Sequence, residues 1–153
     1  MRRRWVAAAV LVVAAAAAVA VAWFEPHKLF VDDRTGDLVA PAGRVLATGT
    51  FRGLEHEASG TASIIDPGRP VLHLDDLRVS NGPDLRVYLS AAPPDAPWGA
   101  FDDDFVDLGT LKGNIGDQTY AIPEGTDLSR HRTAVVWCKR FSVPFASADV
   151  KVS

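Results

Sequence analysis

The chain has 153 residues, room for one domain of ordinary size once any targeting segment is set aside, and sixteen Lys and Arg against nineteen Asp and Glu give a net charge of −3. Every acidic residue follows Phe24 while Arg2, Arg3 and Arg4 precede it, so the rest of the chain carries about −6, which argues against a nucleic-acid partner. A single Cys excludes zinc sites of the CxxC…CxxC type, Cys-ligated iron–sulfur clusters and any intramolecular disulfide within the chain.

From Trp5 to Phe24 no side chain is charged or polar apart from the two indoles. Twenty helical residues at ~1.5 Å each cover the ~30 Å hydrocarbon layer of a bilayer. Arg2 to Arg4 ahead of this run and Glu25 behind it predict a cytoplasmic N-terminus and an extracytoplasmic remainder, with Trp5 and Trp23 at the two interfaces. Residues 1–24 therefore read as a single-pass anchor in the cell membrane. The rival is a cleaved signal peptide, since Ala18/Ala20 and Ala20/Ala22 offer small-residue sites, although a signal usually has only about 7–15 apolar residues. Residues 25–43 mix charge with Pro26, Gly36, Pro41 and Gly43 and read as a linker. Lys28, Leu29, Phe30 and Val31 could pack back on the domain, but a juxtamembrane spacer is the simpler reading.

Past Gly43, short β-rich runs are broken by Gly, Pro, Asn and Asp, and helix signals are nearly absent. Strands are expected near 44–52, 56–65, 70–79, 84–91, 104–109, 117–122, 132–142 and 145–152, which makes residues 44–153 an all-β domain, an antiparallel β-sandwich. In Asp84–Ser90, Leu85, Val87 and Leu89 point one way and Arg86, Tyr88 and Ser90 the other. In Thr133–Cys138 both faces are apolar, which predicts a central strand buried on both sides. Pro144 cannot donate to a ladder, so a bulge or a change of sheet is expected within Phe141–Phe145. Ser80–Leu85 reads as a tight turn.

The segments GTFRGLEHEASGTASI, LRVSNGPDLRVYLS, LGTLKGNIGDQTYAIP and AVVWCKRFSVPFASADV, in this order, resemble the DM13 domain, also called the electron transfer DM13 family, over about residues 44–153. A basic N-terminus, one apolar span and one such domain is a familiar arrangement for that family, and a bacterial cell membrane is the expected setting. The resemblance implies a sandwich allied to DOMON-like domains and a redox role centred on the single Cys, here Cys138.

Taken on their own, the candidate chemical residues are few. No His follows Cys138, so the ligand loop of a blue-copper site is missing, and with Met1 as the sole Met a His/Met haem pair cannot form. Haem thus has no Met ligand and the cofactor stays open, as does whether the chain is an enzyme. Cys138 remains as a naked thiol or as one ligand of a pair with His56, His73 or His131, or as a small buried hydrophobe beside Trp137. His56 is the preferred partner because it lies in the second segment of the resemblance. Glu55 and Glu57 would then sit on the opposite face of its strand. His73, between Leu72 and Leu74, is expected to face solvent, and Asp102–Asp104 to form a solvated loop rather than a calcium site. The leading function is a membrane-anchored extracytoplasmic redox or electron-transfer domain whose redox or protein partner is unknown. The alternative is a non-catalytic binding or scaffolding module that presents loop Pro93–Asp104, anchored by Trp98 and Phe101.

Overall fold

A computed structural model describes residues 2–26, 31–36 and 40–151. The contacts considered for Lys28, Leu29 and Phe30, and the end of the 145–152 strand, lie outside the described residues. Helix α1, Arg2–Phe24, contains the apolar run, and none of its span is buried within the protein. Its length and composition suit a membrane span, and a signal sequence meets the same criteria.

Among the described residues nine strands follow: β1 Arg44–Thr50, β2 Arg52–Gly53, β3 Ala58–Asp66, β4 Val71–Val79, β5 Leu85–Ser90, β6 Phe105–Thr110, β7 Ile115–Ala121, β8 Thr133–Cys138 and β9 Val143–Asp149. They form two antiparallel sheets, β1-β3-β4-β7 and β2-β9-β8-β5-β6, so the fold is a β-sandwich. The run expected as one strand over 44–52 divides at buried Phe51: β1 stays in the first sheet and β2 joins the second. Thr48 and Lys151 exchange backbone hydrogen bonds of 2.9 and 3.0 Å where the two sheets meet.

Alternation places Ala62, Ile64, Leu72 and Leu74 of one sheet against Leu85, Val87, Leu89, Ala134, Val136 and Cys138 of the other. All six residues of β8 are buried, and β8 is the middle strand of its sheet. Its other face, Val135 and Trp137, joins Tyr88 and Phe101 in a second apolar cluster outside the sandwich. Loop 91–104 covers that cluster and is held by Thr133 Oγ1 donating to the Ala92 carbonyl (2.6 Å) and Ser147 Oγ to that of Pro94 (2.9 Å). Phe101 is fully buried there, which corrects its expected role as an exposed anchor; Trp98 of the same loop is 46% exposed. The register shift near Pro144 is a bulge within one sheet: Trp137 pairs with Pro144 and Val136 with Ala146, which leaves Phe145 over. Its freed carbonyl accepts the Leu54 N–H at 3.0 Å.

Part of the linker is bound to the domain. Asp33–Thr35 runs parallel to β7, with Thr35 N–H donating to the Ile115 carbonyl (2.9 Å) and Ile115 N–H to that of Asp33 (3.3 Å). Gly116, at φ +110, makes this approach feasible, because a Cβ there would lie 1.9 Å from the Thr35 carbonyl oxygen. Buried Asn114 fastens the joint: its Oδ1 accepts the Asp33 N–H at 2.7 Å, and its Nδ2 donates to the Val79 carbonyl and to Asp32 Oδ1, each at 2.9 Å. Asn81 Nδ2 donates to the Val31 carbonyl at 2.7 Å.

Asn114→Ala is expected to lower unfolding stability by about 1–3 kcal/mol, the cost of stranding buried partners, in a urea titration. Hydrogen exchange at Thr35 and Ile115 should accelerate while β8 keeps its protection.

Candidate functional site

Cys138 is the last residue of β8, opposite Leu85 on one side and Val143 on the other. It has no exposed surface, and its thiol donates to the Pro83 carbonyl at 3.1 Å. Pro83 belongs to the Ser80–Leu85 turn, in which Asn81 Oδ1 accepts the Gly82 N–H. Phe145 packs closely on Gly82: a Cβ there would meet the ring at 3.0 Å. The turn that returns β8 to β9, Lys139–Ser142, closes the other side, and the backbone N–H groups of Phe141 and Arg140 there favour the thiolate. The expected strand over 132–142 therefore ends at Cys138, four residues early.

Burial pushes the Cys138 pKa up, and this outweighs the N–H groups of Phe141 and Arg140, which favour the thiolate. At neutral pH the group is a protonated thiol in a sealed site. Two of the four non-glycine residues with positive φ among the described residues, Asp84 (φ 57) and Ser142 (φ 52), lie in the two turns that enclose it.

His56 lies in the bend before β3 rather than on the expected strand, because the chain must reverse tightly: a Cβ at Gly53 would lie 1.9 Å from the His56 carbonyl oxygen. Glu55, His56 and Glu57 are exposed and line one open cleft with Asp32, Arg78 and Ser80, so strand alternation does not separate them. The imidazole packs on Phe145, ring centroids 4.5 Å apart, and Phe145 shares the buried cluster of Cys138. The structure thus brings Cys138 and His56 to one end of the sandwich with a Phe145 contact on the His side. Among the described residues no hydrogen bond joins them, and a shared ligand would require the Phe145 ring and the 139–142 turn to move.

The other histidines lie elsewhere. His73 corrects the solvent-facing expectation, since it is 2% exposed with Nδ1 2.9 Å from Thr119 Oγ1 and Nε2 unpartnered. Its strand is interior to the sheet, and Ser63 and Thr119 flank it. His131 Nε2 lies 2.9 Å from Asp104 Oδ1, and Arg130 Nε donates to Asp104 Oδ2 at 2.6 Å, so this carboxylate pins loop 91–104. Among the described residues no group of three His, Cys, Asp or Glu could hold a metal ion.

Sequence reasoning took Asn81 only as a turn residue and did not single out Asn114 or Gln118. Gln118 is fully buried; its Nε2 donates to the Gly113 carbonyl at 2.8 Å, and its Oε1 accepts from Tyr120 Oη at 2.6 Å and Lys112 N–H at 3.1 Å. The available signal was the segment LKGNIGDQTY, in which Asn114, Gln118 and Tyr120 fall on one face at a period of two, and all three are buried.

Tyr88 on the outer cluster is pushed up to about 12, by burial first and by Asp107 second. Cys138 and Tyr88 both hold their protons longer folded than unfolded, so the stability they contribute is complete below the unfolded pKa values of 9.0 and 10.0 and declines as pH rises through the folded ones. Unfolding followed by circular dichroism should show stability falling between about pH 9 and 12, and Tyr88→Phe should remove the part of that fall above pH 10.

Comparison with curated proteins and with solved structures gives no match. The sequence model of one family, described as electron transfer DM13, matches residues 50–150, from the last residue of β1 past the end of β9. The match spans both turns around Cys138, the His56 bend and the Asn114 joint, and the chain belongs to the electron transfer DM13 family.

Proposed function

We propose that this protein is a membrane-anchored, extracytoplasmic electron-transfer domain in which Cys138 is the redox group and His56 its accessory. Membership of a family named for electron transfer supports the class, and α1 with its triple-Arg flank supports the anchor and its orientation. The observation that carries the Cys138 assignment is the enclosure itself. The sulfur sits between a proton-accepting carbonyl and backbone N–H donors, under two turns that each contain a strained residue.

Positive φ outside glycine costs about 1–3 kcal/mol and persists where the surroundings impose it. Such turns open more readily than the strands they join, and opening of 139–142 admits water and releases the thiol from Pro83. The desolvation that holds the pKa up is then lost, while the N–H groups still favour thiolate. The exchange proposed for this single thiol is with a partner disulfide: the thiolate attacks it, that S–S bond breaks, a mixed disulfide forms and the partner's second sulfur leaves as thiolate. His56 acts through Phe145, whose carbonyl and ring both contact the bend that holds it.

Maleimide labelling of the full chain at neutral pH should be at least about tenfold slower natively than in denaturant, and should go to completion because local opening exposes the thiol. Cys138→Ser should abolish exchange with a small aromatic disulfide and retain the β spectrum, at a cost of about 1–3 kcal/mol for the buried hydroxyl. His56→Ala should change the labelling rate severalfold by loosening Phe145. A thiol that never labels, in a colourless protein that transfers no electrons, overturns this reading in favour of the binding module.

The anchor is tested by fractionation: the intact chain should stay with the membrane and lose residues 31–151 to external protease. A soluble form beginning near Val21 or Trp23 would leave export without anchoring.

A further inference from the structure

Only Glu25 to residue 30 separate the last residue of α1, Phe24, from Val31, whose carbonyl is bound by Asn81. At ~3.3–3.6 Å per residue, seven steps reach at most about 25 Å, which is less than the width of a sandwich of about 100 residues with its ~13 Å radius of gyration. The end of the domain that carries Asn81 is therefore held toward the bilayer. Asn81 leads through Gly82 and Pro83 to Asp84, whose carbonyl accepts the Lys139 N–H at 3.0 Å. The hairpin tip Lys139–Ser142 thus belongs to the same end.

That tip has an unusual composition for a turn. Phe141 is 51% exposed, although an aromatic ring is commonly buried, and Lys139 and Arg140 beside it are exposed with no carboxylate partner among the described residues. The Arg140 guanidinium lies 5.8 Å over the ring of Trp23 in the last turn of α1. The nearby acids Asp32 and Asp33 turn to the domain, where Asn114 and Asn81 donate to them.

We infer that the Lys139–Ser142 tip is a membrane-contact element, with Phe141 in the headgroup layer and Lys139 and Arg140 on phospholipid phosphates of the leaflet where α1 ends. An aromatic ring flanked by cations suits the interface, where an apolar body and charged groups find their media within a few ångströms. The contact places the Cys138 end of the sandwich on the membrane. It rests on the anchor reading above and does not require the redox one, whose gate is this same turn.

The test uses the full chain in phosphatidylcholine/phosphatidylglycerol nanodiscs, with a benzophenone amino acid replacing Phe141 or, as control, Phe105. Phe105 is exposed and pairs with Ser90, at the far end of β5 from the Leu85–Cys138 pair and about 17 Å away at ~3.4 Å per residue. Photolysis should give lipid adducts at 141 at least about fivefold above those at 105, and Lys139→Glu with Arg140→Glu should reduce them severalfold. Equal adducts at both positions, no adduct at 141, or an adduct to a second copy of the chain overturns the contact. Intact mass separates the two readings: a trimmed chain outside the discs overturns anchor and contact together, whereas an intact disc-bound chain without the 141 adduct overturns the contact alone.

Discussion

Strand β8 buries both of its faces, so the domain must supply two apolar partners for one strand. One partner is the four-stranded sheet, which meets Ala134, Val136 and Cys138. The other is a loop, 91–104, whose Phe101 covers Val135 and Trp137 together with Tyr88. Aromatic side chains of this size each remove some 150–250 Å² from water, so leaving that face open would forfeit several kcal/mol at ~25 cal/mol per Å². The hydrogen bonds from Thr133 and Ser147 to the loop and the charged contacts of Asp104 with Arg130 and His131 then serve mainly to keep the cover in place.

Cys138 inherits its chemistry from that strand. As the last inward-facing residue of β8 it is dry, and desolvation outweighs the two N–H groups that would favour a thiolate. The same position puts it directly beneath a hairpin turn, where backbone order gives way first. A residue two positions earlier, such as Val136, would be equally buried but could be reached only by separating strands. Burial here protects the sulfur from casual oxidation, and under the proposed redox role the 139–142 turn is its gate.

The amides Asn81 and Asn114 connect this end of the sandwich to the segment after α1. Asn114 is 1% exposed, and its side chain meets three partners, of which the Val79 carbonyl is bound in a fully buried contact, so removing the amide would strand that carbonyl. A Gly/Ser-like spacer would let the domain tumble relative to α1, whereas under the proposed anchor a segment paired with β7 sets which end faces the membrane. The matched stretch LKGNIGDQTY thereby acquires a physical meaning: Gly116 admits the strap, Asn114 binds it, and Gln118 with Tyr120 braces the preceding turn.

Alternation in Leu85–Ser90, two-sided apolarity in Thr133–Cys138 and the missing donor at Pro144 were legible in the sequence, because each depends on a period of two or on one residue's own chemistry. They determined the sandwich, its central strand and an irregularity near Pro144, which the structure resolves as a bulge rather than a change of sheet. Single-chain patterns could also name Cys138 as the sole thiol, and they carried the family resemblance that the match over residues 50–150 bears out. The tertiary structure alone decided what lies over each face. Alternation assigned His73 to the outer side of its sheet, but flanking strands bury it there; Phe101 reads as a loop aromatic, but the exposed face of β8 draws it in. The docking of Asp33–Thr35 and the seating of His56 against Phe145 likewise depend on partners far away in sequence. Local sequence fixes the side of the chain on which a residue emerges, whereas burial depends on which distant segment needs that surface covered.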